Sequence, residues 1–79
     1  MSWTSPEVTQ RGNTTRIWTA TGPALSTHDN VVVGLTAASP STIRLNWVEV
    51  GVSPTRYLLN VQVVGPDPVA FRVYAEQMD

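Results

Sequence analysis

One short segment of the chain carries the side chains that nucleophilic catalysis uses. Ser26, Thr27, His28 and Asp29 follow one another, so hydroxyls, a base and a carboxylate are neighbours. A catalytic triad needs these groups brought together in space, with one group orienting the next. Neighbours in one loop rarely reach that geometry, and no nucleophile-elbow motif is present. We interpret the segment as a solvated turn whose polar side chains hydrogen-bond the local backbone.

The carboxylates do not form a recognisable catalytic pair. Glycosidic chemistry uses two carboxyl groups roughly 5–10 Å apart, and nothing in the positions of the acids indicates such a pair. The six acids are Glu7, Asp29, Glu49, Asp67, Glu76 and Asp79. The absence of cysteine and the single histidine also remove disulfides and the usual metal-ligand sets. We therefore predict no catalytic residue, no metal and no cofactor, and we do not expect an enzyme.

A set of polar and aromatic residues could instead form a recognition surface, if the three strands that carry them are neighbours. The set comprises Arg44, Asn46, Asn60, Gln62, Arg72 and Tyr74. Arginine and tyrosine are common at protein interface hot spots. Nucleic-acid binding needs more cations and stacking rings than this set provides, and the net charge is −1 with no lysine. The alternative is the ordinary wet face of an antiparallel sheet.

The three tryptophans have different predicted environments. Trp47 shares an apolar strand face with Ile43 and Leu45, which predicts a core position. Trp18 lies on the opposite strand face from Ile17, so one of those two side chains is expected to lean outward. Trp3 lies in a polar segment, where it either anchors an interface or folds back to cap the core. The interface contacts that we predict are Trp3, Pro6, Val8, Arg44, Arg56, Arg72 and Tyr74.

Composition and length indicate one small packed domain. Hydrophobic residues make up 42% of the 79 residues and charged residues only 14%, which is the opposite of a disordered composition. No apolar run approaches the roughly 20 residues of a membrane span. The N-terminus lacks the features of a secretory signal, so we expect synthesis in the cytoplasm. Residues 1–14 are predicted as an N-terminal arm and residues 15–79 as a single β domain.

Strand-like runs alternate with turn signals along the whole domain, and no segment shows helical periodicity. Five or six strands without substantial helix predict an all-β fold, a small antiparallel β-sandwich or barrel. Gly34 is a candidate bulge. The alternation blurs at Val48 and Val50, which indicates a twist, a bulge or burial on both faces. The predicted strands are residues 7–10, 15–20, 31–37, 42–50, 56–64 and 70–75.

The stretch from Leu35 to Val63 resembles strands B and C of fibronectin type III and related immunoglobulin-like domains. The matching residues are the Leu-Thr-Ala start, the run from Ser41 to Trp47, and Tyr57 at the opening of the next strand. The resemblance covers about a third of the chain and implies core packing roles for Trp47 and Tyr57. It supports a β-sandwich and implies nothing about function.

The function class follows from what the chain lacks. A small domain without disulfide or metal often gains stability by burying apolar surface against a partner. We favour a structural or interaction module that docks on copies of itself or on a larger assembly. Its composition is similar to that of small virion proteins of tailed bacteriophages, such as capsid decoration or tail-associated proteins. The alternatives are a carbohydrate-binding or adhesion module and a small inhibitor of a host enzyme. No nucleic-acid or membrane partner is expected.

Overall fold

Seven strands joined by turns account for most of the chain. In the computed structural model, which describes residues 1–78, the short 3-10 turn Pro40–Thr42 is the one helical element. The predicted all-β antiparallel fold is confirmed, with one strand more than the highest predicted number. The strands are β1 (Ser2–Thr4), β2 (Val8–Gln10), β3 (Thr14–Ala20), β4 (Val31–Ala37), β5 (Ile43–Val52), β6 (Thr55–Val63) and β7 (Val69–Gln77).

The strands form two antiparallel sheets, each built around one central strand. In sheet I, β4 pairs one edge of β7, while β1 and β2 pair the other edge one after the other. In sheet II, β6 lies between β3 and β5. The centres of the two sheets are therefore β6 and β7, the strands whose apolar and polar residues alternate most regularly.

The core lies between these two central strands. Every second residue of β6 and β7 points inward, as the two-residue period of a strand requires, and each of these side chains is at most 4% exposed. Leu25 joins them from the loop between β3 and β4. Fully burying one such side chain stabilises the fold by roughly 1.5–3 kcal/mol. The inward residues are Tyr57, Leu59, Val61, Val63, Val69, Phe71, Val73 and Ala75.

The N-terminal segment, predicted as an arm over residues 1–14, lies along the edge of sheet I. Its pairing with β7 is interrupted near Pro6, which has no backbone N–H to donate. Ser5 bridges the gap: its N–H donates to the Val73 carbonyl at 2.8 Å, and its Oγ accepts from the Val73 N–H at 2.9 Å. The Trp3 ring stacks on Tyr57, with ring centroids 5.9 Å apart. Residues 2–10 therefore cap the core instead of extending from it.

The bulge in this fold lies in β5 and not at Gly34. The pairing of β4 with β7 runs in unbroken register through Gly34, which faces Tyr74. A Cβ at Gly34 would lie 2.5 Å from the Tyr74 hydroxyl, so the glycine makes room for that ring. In β5, Leu45 pairs Val61 and Trp47 pairs Asn60, which leaves Asn46 as the extra residue of a bulge. The predicted bulge at Gly34 is wrong, and the blurred alternation after Trp47 has its cause here.

The bulge changes the environment of Trp47. Because Asn60 points away from the core and Trp47 lies directly opposite it, the indole also points away from the core and is 44% exposed. The predicted core position of Trp47, including the packing role implied by the fibronectin resemblance, is wrong. Tyr57, the other residue of that resemblance, is fully buried.

Candidate interaction surface

The outer face of sheet II carries a row of three residues across its three strands. Ile17 of β3 and Trp47 of β5 both pair with Asn60 of the central strand, so all three side chains point outward. Ile17 is 55% exposed and Trp47 is 44% exposed. Large apolar side chains at the middle of a sheet face, with no strand or loop covering them, mark a candidate interaction surface.

Two further rows flank the central one, and each carries one charge. On one side Thr15, Gln62 and Arg44 are paired across the sheet. On the other side the paired residues are Thr19, Leu58 and Glu49. The outer face of sheet II thus has two apolar side chains on its edge strands with Asn60 between them, Arg44 toward one end and Glu49 toward the other. Arg56 lies beyond Glu49 at that second end.

A network of side-chain amides holds the bulge beside Trp47. The Asn46 amide nitrogen donates to Asn60 Oδ1 at 3.0 Å and to Gln62 Oε1 at 3.4 Å. The extra residue of β5 is therefore fastened to the central strand through its side chain. This network places uncharged polar groups on the central strand, next to the exposed indole.

The charges of this face have no ion-pair partner within residues 1–78. The one ion pair there joins His28 Nδ1 and Asp29 Oδ1 at 3.7 Å, and both side chains are well exposed. Arg44 and Glu49 therefore present their charges to the solvent. The aliphatic stem of Arg56 packs over Gly51. A Cβ atom built on that glycine would lie 3.3 Å from Arg56 Cγ.

The two remaining members of the predicted recognition set lie elsewhere. Arg72 and Tyr74 belong to β7 and face outward from sheet I. Arg72 Nη1 donates to the Ser5 carbonyl at 3.2 Å, and Tyr74 covers Gly34. The set predicted on one face is thus wrong for these two residues, because β7 and β5 lie in different sheets. Arg44, Asn46, Asn60 and Gln62 do share the outer face of sheet II.

A groove of about 220 Å³ lies along the seam where β1 and β2 face β3. The predicted contacts Trp3, Pro6 and Val8 line it, together with Trp18 and Phe71. The Trp18 indole nitrogen donates to Gln10 Oε1 at 2.7 Å, and the buried Gln10 amide donates to the Val61 carbonyl at 2.8 Å. The Trp18 ring meets Phe71 edge to face, with centroids 5.5 Å apart. The groove is therefore the lateral margin of the core, and its tryptophans are fixed by internal contacts.

The loop that carries the candidate triad residues has the geometry of a turn. The Asp29 N–H donates to Thr27 Oγ1 at 3.2 Å, which is a local side-chain-to-backbone bond. The Gln77 amide donates to the Thr27 and Asp29 carbonyls and ties this loop to β7. Among residues 1–78 there is no group of three His, Cys, Asp or Glu side chains that could hold a metal ion. Asp79, the last of the candidate carboxylates, lies outside the described residues.

Within residues 1–78, one buried side-chain polar atom has no hydrogen-bond partner. The hydroxyl of Tyr57 lies in the core and makes no hydrogen bond in the structure. Burial raises the pKa of Tyr57 above its ordinary value of 10.0. None of the described helical residues forms a segment long and apolar enough to cross a membrane.

The sequence predicts that either Ile17 or Trp18 leans outward, and the structure shows that Ile17 does. The exposed position of Trp47 is not predicted, because its strand pattern indicates a core position. The signal that could have exposed the error is the loss of alternation after Trp47, which marks the extra residue in β5. Of the predicted contacts, Arg44 and Arg56 lie toward opposite ends of this face.

No family model matches the chain, and no curated protein or solved structure is similar to it at a significant level. The resemblance to fibronectin type III strands remains a prediction. The geometry of the outer face of sheet II is therefore the basis of the functional proposal.

Proposed function

We propose that this protein is a non-enzymatic interaction module that docks onto a protein partner through the outer face of sheet II. The observation that carries the proposal is the exposure of Ile17 and Trp47 in the middle row of that face, on either side of Asn60. Binding energy at interfaces concentrates in a few residues, with tryptophan and arginine enriched among them. Interfaces combine such apolar contacts with hydrogen-bonding polar groups, which Asn60 and Gln62 supply here.

The exposed row is not needed for the packing of the domain. The buried core lies between the inner faces of β6 and β7, with partly buried side chains of the other strands packed against it, and the Trp47 indole is on the other side of sheet II. The exposed apolar surface of Ile17 and Trp47 lowers solubility and contributes little to the stability of the fold. A partner that covers it would bury the indole and gain the hydrophobic free energy that the isolated domain forgoes.

The setting that we propose is a larger protein assembly such as a bacteriophage virion. The support is composition: a small, weakly charged, Thr- and Val-rich β domain is similar to capsid decoration and tail-associated proteins. This is an analogy of composition and architecture, so the docking surface and not the setting carries the proposal.

The test compares the outer faces of the two sheets by asking which proteins each variant captures from a cell lysate. Immobilised wild-type protein is exposed to lysate of the source cells beside the variants Trp47→Ala and Val32→Thr. Val32 is a matched control because it is 53% exposed on the outer face of sheet I. We expect one dominant protein to be captured by the wild type and by Val32→Thr and to be lost with Trp47→Ala. Identical capture by all three proteins would overturn the proposal, and a dominant captured enzyme would favour the inhibitor alternative.

A carbohydrate-binding function is the second candidate, and one observation favours it. The exposed Trp47 ring lies beside the amides of Asn46 and Asn60, and an indole can stack on a sugar ring while amides hydrogen-bond its hydroxyls. Binding on a glycan array that is abolished by Trp47→Ala would support this function. Absence of binding to every glycan would remove it.

A further inference from the structure

We infer that the partner of the outer face of sheet II is the same face of a second copy of this chain. The two copies would pack face to face across a twofold axis that runs along the row of Ile17, Asn60 and Trp47. This inference rests on the proposed docking function and names the partner of that surface.

The first step of the argument is the spacing of the charges about the central row. Arg44 pairs Gln62, two residues along β6 on one side of Asn60. Glu49 pairs Leu58, two residues along on the other side. At roughly 3.3 Å per residue, the two charged residues lie about 7 Å from the row in opposite directions along one edge strand. Their positions are related by reflection through the row.

The second step is the effect of the axis on these positions. The twofold axis lies in the plane of the interface and runs along the row. Each position on one side of the row then faces the position at the same distance on the other side of the row in the second copy. Arg44 of each copy then faces Glu49 of the other, which forms two intermolecular ion pairs. Trp47 and Ile17 meet their own counterparts on the axis, on either side of the paired Asn60 residues. This is an isologous interface, in which one surface is its own complement.

An axis along the strands does not produce this match. It would bring β5 of one copy over β3 of the other, so that Arg44 faced Thr15 and Glu49 faced Thr19. Both charges would then be desolvated without a partner, which is unfavourable at an interface. The charge pattern therefore selects the axis across the strands.

The ends of the face are also consistent with a second copy. Arg56 lies four residues before Asn60, and Val64 lies four residues after it. Val64 continues the pairing, since its N–H donates to the Thr42 carbonyl at 2.9 Å, and its side chain is 43% exposed. The same axis brings the aliphatic stem of Arg56 over Val64 of the second copy. Snorkelling arginine stems commonly cover apolar surface in this way.

The outer face of sheet II sets the size of the dimer interface. The nine residues of β6 span about 30 Å at roughly 3.3 Å per residue, and three strands about 4.8 Å apart span about 14 Å. The face therefore offers about 400 Å² of plane area per copy, which is at the low end for specific interfaces and favours a weak, reversible dimer. Two sheets packed about 10 Å apart leave room for arginine, glutamate and indole side chains between them.

The experiment reverses the two charges separately and then mixes the variants. Sedimentation equilibrium at low ionic strength measures the dimer dissociation constant of the wild type, Arg44→Glu, Glu49→Arg and their equimolar mixture. We expect each single variant to dimerise at least about tenfold more weakly, because like charges then face each other. The mixture should recover dimers, because the two carboxylates of one chain face the two arginines of the other. Glu76→Arg, an exposed charge reversal on sheet I, is the control and should leave the dissociation constant unchanged.

Three results would overturn the inference: a wild type that stays monomeric at millimolar concentration, single variants that dimerise normally, or a mixture that does not recover. None of these results removes the docking proposal, because another protein could still use the same face. That proposal falls only when capture is insensitive to Trp47→Ala. The two failures are therefore distinguishable, and circular dichroism of each variant confirms that the fold is retained.

Discussion

The outer face of sheet I and that of sheet II each carry an arginine, an aromatic ring and a glycine, but these groups are engaged differently. On sheet I, Tyr74 fills the space above Gly34, and Arg72 donates to the backbone of the N-terminal segment. On sheet II, Trp47 is exposed at the centre of the face, and Arg44 has no ion-pair partner within residues 1–78.

Residue type alone therefore does not decide whether the side chains of a face contact the rest of the domain or are accessible to a partner. On sheet I, Arg72 and Tyr74 contact the N-terminal segment and β4 of their own sheet. On sheet II, Asn46 hydrogen-bonds Asn60 and Gln62, but Ile17 and Trp47 remain exposed and are accessible to a partner.

The largest effect that we predict is on sheet I, when its N-terminal segment is deleted. Deletion of residues 1–12 removes the Trp3 ring from Tyr57, both Ser5 bonds to Val73, and the Gln10 bonds inside the seam. We expect a loss of more than about 5 kcal/mol, comparable with the whole stability of a small domain. Thermal denaturation followed by circular dichroism should show no cooperative transition at the wild-type temperature.

A matched pair of tryptophan substitutions is the control for that deletion. Trp3→Ala should cost about 2 kcal/mol or more, because it opens space beside a buried ring. Trp47→Ala should cost less than about 1 kcal/mol, since the indole is outside the core. Equal losses for the two variants would mean that the two faces do not differ as described.

The second prediction separates the bulge from the indole that it accompanies. Deletion of Asn46 leaves Leu45 facing inward and Trp47 facing outward in regular alternation, whereas deletion of Trp47 leaves Asn46 opposite Asn60. Both deletions remove the bulge, but only the first keeps the indole on the face. We expect dimerisation and capture to survive the first deletion and to fall at least about tenfold with the second. Loss of both activities in both variants would assign the binding to the bulge itself.

The smallest effect concerns the inner faces that the two sheets share. Tyr57→Phe removes a buried hydroxyl that has no partner, so the free energy of unfolding should rise by about 1 kcal/mol. Burial raises the pKa of this phenol, so the unfolded chain releases its proton more readily. The wild type therefore loses stability relative to Tyr57→Phe as the pH rises above about 10, whereas at lower pH the ionisation of Tyr57 adds no difference between the two proteins.

Urea titrations at several pH values between 8 and 11 measure both parts of this prediction. Above pH 10, the free energy of unfolding should fall more steeply with pH in the wild type than in Tyr57→Phe. Tyr74→Phe, on the outer face of sheet I, is the control variant. A Tyr57→Phe variant that is less stable than the wild type would show that the hydroxyl has a partner after all.

The sequence predicted the strands well where the pattern is local. The alternation in β6 and β7 placed Tyr57, Leu59, Phe71 and Val73 inward, because the two-residue period of a strand depends only on the chain itself. The breakers Gly65 and Pro66 placed the turn between these strands for the same reason. The sequence does not predict β1, because Trp3 is flanked by polar residues and only the pairing with β7 makes this segment a strand.

From the sequence alone, the two-residue alternation predicts an all-β domain, and the lack of cysteine with a single histidine leaves little support for thiol or metal chemistry. Which surface is presented depends on the tertiary structure. Arg72 and Tyr74 separate from Arg44 because sheet membership depends on pairings between distant residues. Trp47 faces outward because one extra residue in β5 shifts its register against β6, and a register between strands is not written in either strand alone.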